Sequence, residues 1–512
     1  MFNHVIVLGL DGLTYEILLK FIGRGILPGF NKLLENGVMI KLRSIIPPLS
    51  PPAWVSIFTG VDPSKHSILG FVKVQKVNNG FRLRPISSKD IKAKRIWDLL
   101  SLLGKRNVVF QAPFEYPVHK INGILSSGLG TPSLEAYSVY PSEYLTRFLH
   151  IAPHYDVSYG EELIKEDWRK FLAKFLTTVN SEIKIANYLF NNEKWDSYFA
   201  VFRGIDIMQH FFYNDEEILS YIYKLYDKFI LEVFKNMPSE SLLIICSDHG
   251  FSNLDTLFYV NGWLKEIGLL SIKSESKIRL PIYIPTTYTK YQLPRAIYRL
   301  LYTTFKKFKK KPQLLDLSAK LMKALNIDVD IKGSISYLWN IDWNNTKAYF
   351  SIATQGIHII ADSKEEYEDI RLTIKKEILK VRTSDGRPVI KKVFFKEEIY
   401  SNPDNYLVPD ILLLKNEGFR LVWDIPPSKE DYFIPSLFEK GEHCELNGVL
   451  ILASKKRQID FTINEASVID ITPTILGAYG ISRPKYMDGI SLIEDGETRY
   501  IRLFDLLGSE FV

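Results

Sequence analysis

The sequence has few of the features that define disulfide-rich, membrane-spanning or secreted proteins. It contains only two cysteines, Cys246 and Cys444, among 512 residues, which argues against a disulfide scaffold and a cysteine-based zinc site. No window reaches ~18 uninterrupted apolar residues, so we expect no transmembrane helix. The opening segment, MFNHVIVLGLDG, lacks a basic n-region and an A-x-A cleavage site. We therefore expect no secretory signal and a cytoplasmic location.

The excess of positive over negative charge is also small. The formal net charge of +6 allows anionic substrates but does not identify a nucleic-acid binder, which needs a concentrated basic patch, so we expect no specific nucleic-acid binding. Hydrophobic residues make up 46% of the chain and charged residues 24%, which predicts a buried core. The length suits either about two to four units or one large α/β domain with insertions.

Apolar runs that end in polar residues recur along the chain. HVIVLGL ends at Asp11, and NVVFQAP, DSYFAVFR and SLLIICSDHG repeat the pattern, with helical stretches between them. Strands that alternate with helices predict an α/β fold, an α/β/α sandwich with a mostly parallel central sheet. In such sheets ligands gather at the carboxyl ends of the strands.

Residues 271–338 differ from the rest because they are rich in tyrosine and lysine and are predicted to be mainly helical. We interpret them as an insertion or cap between residues 1–270 and 339–512. The segment contains a charge run formed by Lys306, Lys307, Lys309, Lys310 and Lys311. A solvated helix end would explain this run. Peripheral contact with an anionic membrane surface, or with a polyanionic substrate, is the alternative.

Two short motifs carry candidate metal ligands. Asp206 and His210 are four residues apart, so on a helix both side chains lie on one face and can reach one ion. Asp248 and His249 end a strongly apolar run, and Gly250 allows a sharp exit that lets both face a crevice. A divalent cation would satisfy them if they are buried. An aspartate that caps a helix, beside a surface histidine, is the alternative for the second motif.

Ser50 lies between Leu49 and Pro51-Pro52, before a helix-like run. It can be a plain N-cap. A hydroxyl at a helix N-terminus also faces an anion site built from backbone N–H groups. Because no nearby residue in the sequence offers a base, activation by a metal is the coherent way to make this serine a nucleophile.

Two further histidines occur singly. His443 follows Gly441-Glu442 in a predicted loop before the strand GVLILAS, where a histidine is usually only solvated, and His66 in DPSKHSIL is predicted to be structural or supporting. The complete candidate set is six metal ligands and one hydroxyl: Asp11, Asp206, His210, Asp248, His249 and His443, with Ser50. This order and spacing are those of a two-metal phosphate-transfer site.

The ordered segments resemble the alkaline phosphatase superfamily, closest to the type I phosphodiesterase / nucleotide pyrophosphatase branch. The resemblance covers most of the chain outside residues 271–338. Its landmarks are LGLDG, SPPAWVSIFTGVDPSKHSILGF, GIDIMQH, CSDHGF, GEHCELNGVLI and VIDITPTILGAYGISRPKYMDG. It implies that residues 1–270 and 339–512 form an alkaline phosphatase-like catalytic domain.

The resemblance also implies roles for the candidate residues. One divalent ion would be held by Asp11, Asp248, His249 and the Ser50 hydroxyl, and the other by Asp206, His210 and His443. The nucleophile of such enzymes is usually threonine, and Ser50 takes that position here. Aspartate and histidine ligands suit zinc, with manganese as the alternative.

The leading hypothesis is a cytoplasmic, metal-dependent phosphoesterase. It would cleave phosphodiester or pyrophosphate bonds of small substrates, nucleotides among them, through a phosphoseryl intermediate. One alternative is a phosphomonoesterase or a phosphotransferase such as a mutase, because the phosphate-binding asparagine or arginine residues of some branches have no clear match. Another is a degenerate protein that binds nucleotides or lipid headgroups. A sulfatase is disfavoured because no C-x-P-x-R segment is present.

Overall fold

The computed structural model describes residues 1–77, 80–165, 167–273, 341–426, 432–444, 446–456 and 465–493. The lysine run and nearly all of the predicted insertion lie outside these residues, so the helical cap and the domain boundaries stay predictions. Ile272 and Ile341 lie on either side of the residues 274–340 that are not described, and they form an antiparallel bridge. The N–H of Asp342 also donates to the carbonyl of Ser271, at 3.0 Å. The chain therefore leaves and re-enters the described structure at neighbouring points.

In chain order the strands are β1 His4–Leu10, β2 Gly37–Arg43, β3 Val72–Val77, β4 Gly80–Pro85, β5 Asn107–Ala112, β6 Gly123–Ser127, β7 Val139–Tyr140, β8 Ser197–Phe202, β9 Ser241–Cys246, β10 Gly250–Tyr259, β11 Ala348–Phe350, β12 Ile357–Ile359, β13 Ile390–Phe395, β14 Ile411–Lys415, β15 Gly418–Val422, β16 Phe433–Pro435, β17 Gly441–Cys444, β18 Gly448–Ala453 and β19 Glu465–Ser467. The α-helices are α1 Tyr15–Gly23, α2 Pro28–Leu34, α3 Ser50–Thr59, α4 Pro63–His66, α5 Ile96–Leu102, α6 Glu143–Ile151, α7 Trp168–Asn192, α8 Gly204–Phe212, α9 Glu216–Asn236, α10 Val260–Glu266, α11 Lys364–Ile378, α12 Lys396–Ile399 and α13 Ile471–Ala478. Within the described ranges, no helix is long and apolar enough to cross a membrane.

Within the described residues, nine strands form the central sheet in the order β19-β2-β18-β9-β1-β8-β5-β6-β7. The middle strands β9, β1, β8, β5 and β6 run parallel to one another. Strands β18 and β7 run antiparallel to their neighbours. The sheet is therefore mostly parallel, as the alternation of strands and helices predicted.

Both faces of the sheet are buried. On β1, Ile6 and Leu8 join a core with α1, α2, α7, α8 and α9, whereas Val5 and Val7 join a second core with α3, α5 and α13. Successive side chains of a strand point to opposite faces, so a continuous apolar run such as HVIVLGL suits a sheet that is covered on both sides. The predicted α/β/α sandwich is confirmed.

A smaller lobe, which contains residues 250–272, 341–426 and 432–435 of the described chain, packs beside the sandwich. It contains an antiparallel sheet in the order β11-β12-β14-β13, while β10 pairs with β15 and β16. Its apolar core is separate and includes Phe258, Trp263, Ile374 and Ile411. The lobe docks on α4, where the N–H of Ser401 donates to Asp62 Oδ2 at 2.7 Å.

The start of α2 depends on one buried carboxylate. The N–H groups of Gly29 and Phe30 donate to Asp227 of α9, at 3.0 and 2.7 Å. A side chain at Gly29 would collide with the Asp227 carbonyl, because its Cβ would lie 2.4 Å from that oxygen. These bonds satisfy orphan donors of the helix N-terminus and fix α2 against α9.

We expect Asp227→Ala to lower the free energy of unfolding by about 2–3 kcal/mol, because it leaves two buried N–H groups without a charged acceptor. Urea unfolding of the purified protein measures this change. Asp215→Ala is the matched control, since Asp215 caps α9 at an exposed site through the N–H of Ile218 and should cost about 1 kcal/mol. Equal losses in the two variants would contradict the role of Asp227.

Candidate active site

The candidate site lies at the carboxyl ends of three adjacent strands. Asp11 directly follows β1, Asp206 lies in the first turn of α8 after β8, and Asp248 follows β9. Because β8, β1 and β9 are neighbours and parallel, their ends bring all three carboxylates to one edge of the sheet. All three are buried.

Each of these aspartates has a buried oxygen that needs a partner. In the part of the chain that the structure describes, Asp11 Oδ1, Asp206 Oδ1 and Asp248 Oδ2 have no hydrogen bond. The other carboxylate oxygens of Asp11 and Asp248 accept hydrogen bonds. Trp54 Nε1–H donates to Asp11 Oδ2 at 3.0 Å, and the Gly12 N–H donates to Asp248 Oδ1 at 3.2 Å. Burying unpaired carboxylate oxygens is costly, and a divalent cation would offset that cost.

The three histidines place their Nε2 atoms close to these aspartate oxygens. Nδ1 of His210, His443 and His249 contacts the carbonyls of Gly441, Pro48 and Gly250, at 3.3, 3.0 and 3.2 Å. A carbonyl can only accept, so Nδ1 carries the proton and Nε2 of each neutral ring has a lone pair. Nε2 of His210 lies 3.0 Å from Nε2 of His443, so both atoms could bind one cation when both rings are neutral.

These atoms form two overlapping clusters. Ligand atoms of Asp206, His210 and His443 lie within 4.8 Å of one another, and so do those of Asp11, Asp206 and His249. His249 Nε2 is also 3.2 Å from Asp248 Oδ2. The structure thus brings all six predicted ligands together, with Asp206 close to both groups. The donor set fits divalent cations.

Ser50 is the first residue of α3, and Leu49 is the N-cap, so the interpretation of Ser50 as a plain N-cap is wrong. Its Oγ lies 3.2 Å from His249 Nε2. The expected anion site of several backbone N–H groups is also wrong, because Pro51 and Pro52 have no N–H. In this turn Ser50 supplies the N–H and the hydroxyl, and the Ala53 N–H already donates to the Leu49 carbonyl at 3.0 Å.

Burial and like charge set the ionisation of the aspartates. Burial, and then the charges of Asp248 and Asp206, raise the pKa of Asp11 well above its ordinary value. Burial, and then Asp206, raise the pKa of Asp248 to about 7. Burial also acts to raise the pKa of Asp206, but His210 and His443 outweigh it and hold that pKa below its ordinary value. Without cations, the group therefore resists carrying three negative charges.

Burial keeps two of the histidines in the neutral form that binds metals. It lowers the pKa of His210, and together with the neighbouring His443 it lowers the pKa of His249 well below its ordinary value. For His443, burial acts to lower the pKa, but the adjacent Asp206 carboxylate outweighs it and raises that pKa. The rings of His249 and His443 stack with centroids 3.7 Å apart.

His443 lies in strand β17 rather than in the predicted loop. Phe251 of β10 is its antiparallel partner. The strand is only Gly441–Cys444, and its partner is remote in sequence, so local periodicity gives no signal for it. Pairing with β10 is what brings His443 close to His249.

A group of charged residues next to His210 and His443 was not predicted from the sequence. Arg420 contacts the carboxylates of both Glu439 and Glu442. Lys415 Nζ donates to the His443 carbonyl at 2.7 Å, and Glu439 Oε2 is 3.8 Å from His210 Nδ1. Such outer partners orient metal-binding imidazoles. In the sequence, the acidic Glu442 directly before His443 could have indicated this group.

A second missed residue is Gln209, between the predicted ligands Asp206 and His210. Its Nε2–H donates to the Gly12 carbonyl at 2.6 Å, and its Oε1 accepts from the Thr14 hydroxyl at 3.0 Å. Gly12 has φ +70°, and a Cβ there would lie 2.7 Å from the Phe251 ring. Gln209 therefore holds the turn whose N–H binds Asp248.

His66 has a structural role, in line with its prediction. Its Nδ1 accepts from the N–H of Ile68 at 3.1 Å, and its Nε2 lies 3.0 Å from Ser56 Oγ. Burial lowers its pKa to about 3. It is thus a neutral residue that joins α4 to α3.

The fold, together with a family match over most of the chain, identifies a phosphoesterase-type hydrolase of the alkaline phosphatase superfamily. The chain belongs to the family described as type I phosphodiesterase / nucleotide pyrophosphatase, which matches residues 5–434. The recognised superfamily and the expected class of enzyme are therefore confirmed.

Solved structures that are similar to this chain have low sequence identity to it. Phosphonoacetate hydrolase from Sinorhizobium meliloti 1021, in complex with phosphonoacetate, is 15% identical with a TM-score of 0.55, and the match covers 92% of this chain and 94% of that one. Murine ectonucleotide pyrophosphatase / phosphodiesterase 5, an inactive variant in complex with AMP, is 12% identical with a TM-score of 0.49 and 97% coverage of both chains. No curated protein matches the sequence.

We expect Asp248→Asn to raise the thermal midpoint of the chelated protein, because it replaces a buried carboxyl, whose ionisation Asp206 opposes, with a neutral amide that keeps an acceptor for the Gly12 N–H. Zinc at 100 times its dissociation constant should stabilise the unmodified protein by about 2.7 kcal/mol, and the variant by much less. Differential scanning calorimetry with chelator and with zinc measures both effects. A full zinc shift in Asp248→Asn would contradict a ligand role for Asp248.

Proposed function

We propose that the protein hydrolyses phosphodiester or pyrophosphate bonds of small substrates, nucleotides among them, with Ser50 as nucleophile. The observation that carries this proposal is the convergence of three carboxylate oxygens without a hydrogen bond and three imidazole Nε2 atoms beside one serine hydroxyl. Family membership supplies the bond type.

In this proposal Asp11, Asp248, His249 and the Ser50 hydroxyl hold one divalent ion, and Asp206, His210 and His443 hold the other. Aspartate and histidine ligands suit zinc, with manganese as the alternative. When bound, such ions lower the pKa of a coordinated hydroxyl and offset the charge of phosphoryl oxygens.

The side chains of this protein then have distinct tasks. Ser50 Oγ gives up its proton and forms a bond to phosphorus while the bond from phosphorus to the leaving oxygen breaks and that oxygen takes up a proton. The resulting phosphoryl-serine keeps the other ester group of a diester substrate. Water then cleaves the bond between Ser50 Oγ and phosphorus, which releases the phosphate monoester and restores the hydroxyl. Trp54 orients Asp11, and the Gly12 N–H orients Asp248, through the hydrogen bonds described above. The carbonyls of Gly441 and Pro48 fix the ring orientation of His210 and His443.

The proposal keeps the predicted domain division and cellular location. The bridge between Ile272 and Ile341 is compatible with an insertion over residues 271–338 in a catalytic domain formed by residues 1–270 and 339–512. Membrane contact by its lysine run stays part of the hypothesis. Both cysteines are buried, which is compatible with the reducing environment of a cytoplasmic protein.

We expect the protein to hydrolyse bis-p-nitrophenyl phosphate in preference to p-nitrophenyl phosphate, with activity that chelation abolishes and zinc or manganese restores. Ser50→Ala should lower kcat by about 10³-fold or more, because it removes the nucleophile. Ser50→Thr, the matched control, keeps the hydroxyl and should retain turnover. A denatured quench should trap the phosphoryl group of the substrate, with its remaining ester, on residue 50 only in proteins that have a hydroxyl there.

The other outcomes decide between the alternatives. Preference for the monoester would favour the phosphomonoesterase or mutase hypothesis. Intact turnover in Ser50→Ala would exclude covalent catalysis by this serine, and full activity in His443→Ala would exclude its role as a ligand. Metal binding without turnover of either ester would favour the transferase or binding-protein alternatives.

A further inference from the structure

A cavity of about 90 Å³ opens beside His210 and His443. It lies between the segment Pro47–Leu49 and the smaller lobe. Most of its wall is apolar and includes Leu49, Phe71, Phe350, Ile352, Leu413 and Leu421. Phe71 and Ile352 are only half-buried, so a bound group would remove further apolar surface from water.

The charged residues in this wall neutralise one another. Arg420 is paired with Glu439 and Glu442. Lys415 lies 3.7 Å from Glu442 and donates to the His443 carbonyl. An anionic ligand would have to compete with these existing partners, whereas an uncharged ligand would leave them intact.

An uncharged polar group completes the wall. Gln355 contributes to the cavity and has φ +49°, a left-handed conformation that is unfavourable for residues other than glycine. Strained residues of this kind often occur at ligand sites. Its amide offers hydrogen bonding without charge.

The position of the cavity identifies the part of the substrate that enters it. Ser50 Oγ contacts His249, whereas the cavity is lined by His210 and His443 of the other candidate cluster. In an in-line displacement the attacking and leaving oxygens lie on opposite sides of phosphorus. In the proposed function Ser50 attacks beside His249 and the leaving oxygen lies beside His210 and His443, so the cavity that these two histidines line is assigned to the leaving group.

We propose, on the basis of the proposed function, that the cavity binds the leaving group and selects one that is small, apolar and uncharged. The preferred substrates are then phosphodiesters of a phenol or a short-chain alcohol. Pyrophosphate bonds are disfavoured, because their leaving group is an anionic phosphate. Phe71 and Ile352 determine this specificity by contact with the leaving group.

The test uses two diesters that share a methyl ester and differ in the leaving phenol, 4-acetylphenyl or 4-carboxyphenyl methyl phosphate. The unmodified protein and Ile352→Lys are compared with both, so that the intrinsic reactivity of each phenol cancels between proteins. We expect the lysine to shift the ratio of kcat/KM values towards the carboxylate by about tenfold or more, as one new charge-assisted hydrogen bond allows. The 4-acetylphenyl ester should lose at least part of its kcat/KM.

Leu372→Lys is the matched control, because it places the same charge on an exposed position of α11 in the same lobe and should leave the ratio unchanged. If Ile352→Lys does not fold, Phe71→Ala replaces it and should raise KM for the 4-acetylphenyl ester more than for the 4-carboxyphenyl ester. An unchanged preference in a folded, active cavity variant would overturn the proposal while leaving diester hydrolysis intact. Failure of the unmodified protein to cleave either diester would instead overturn the proposed function, and this inference with it.

Discussion

The repulsion among three buried carboxylates is the constraint on which the site depends. Asp11, Asp206 and Asp248 lie at one edge of the central sheet, and each has an oxygen without a hydrogen bond among the described residues. Such a group is unfavourable by itself. It is tolerated because β8, β1 and β9 are fixed by cores on both faces of the sheet. A cation bound among these oxygens would offset the repulsion.

The parts of this arrangement that the sequence predicted follow from strand ends. HVIVLGL and SLLIICSDHG are apolar runs that end in acidic residues, and parallel strands place such ends at a common edge. The four-residue spacing of Asp206 and His210 predicted that both lie on one face of a helix, which is α8. Both inferences use only local periodicity and a general property of parallel sheets, so they needed no knowledge of distant contacts.

Other parts depended on contacts that local patterns do not contain. His443 lies in a four-residue strand whose partner, β10, is remote in sequence. The pairing of Arg420 with Glu439 and Glu442 likewise joins separate strands and loops. The poor supply of N–H donors at α3 is different, because Pro51 and Pro52 were visible in the sequence and their missing donors could have been counted.

The pairing of strand β10 limits how the smaller lobe can move relative to the sandwich. It begins one residue after His249 and pairs with β15 and β16 of the smaller lobe as well as with β17, which carries His443. A hinge rotation of the lobe would have to bend a strand that is shared with both histidines, instead of a loop that absorbs the change. We therefore expect the gap between lobe and sandwich to keep a constant width, so that substrates are sorted by a preformed shape rather than by closure around them.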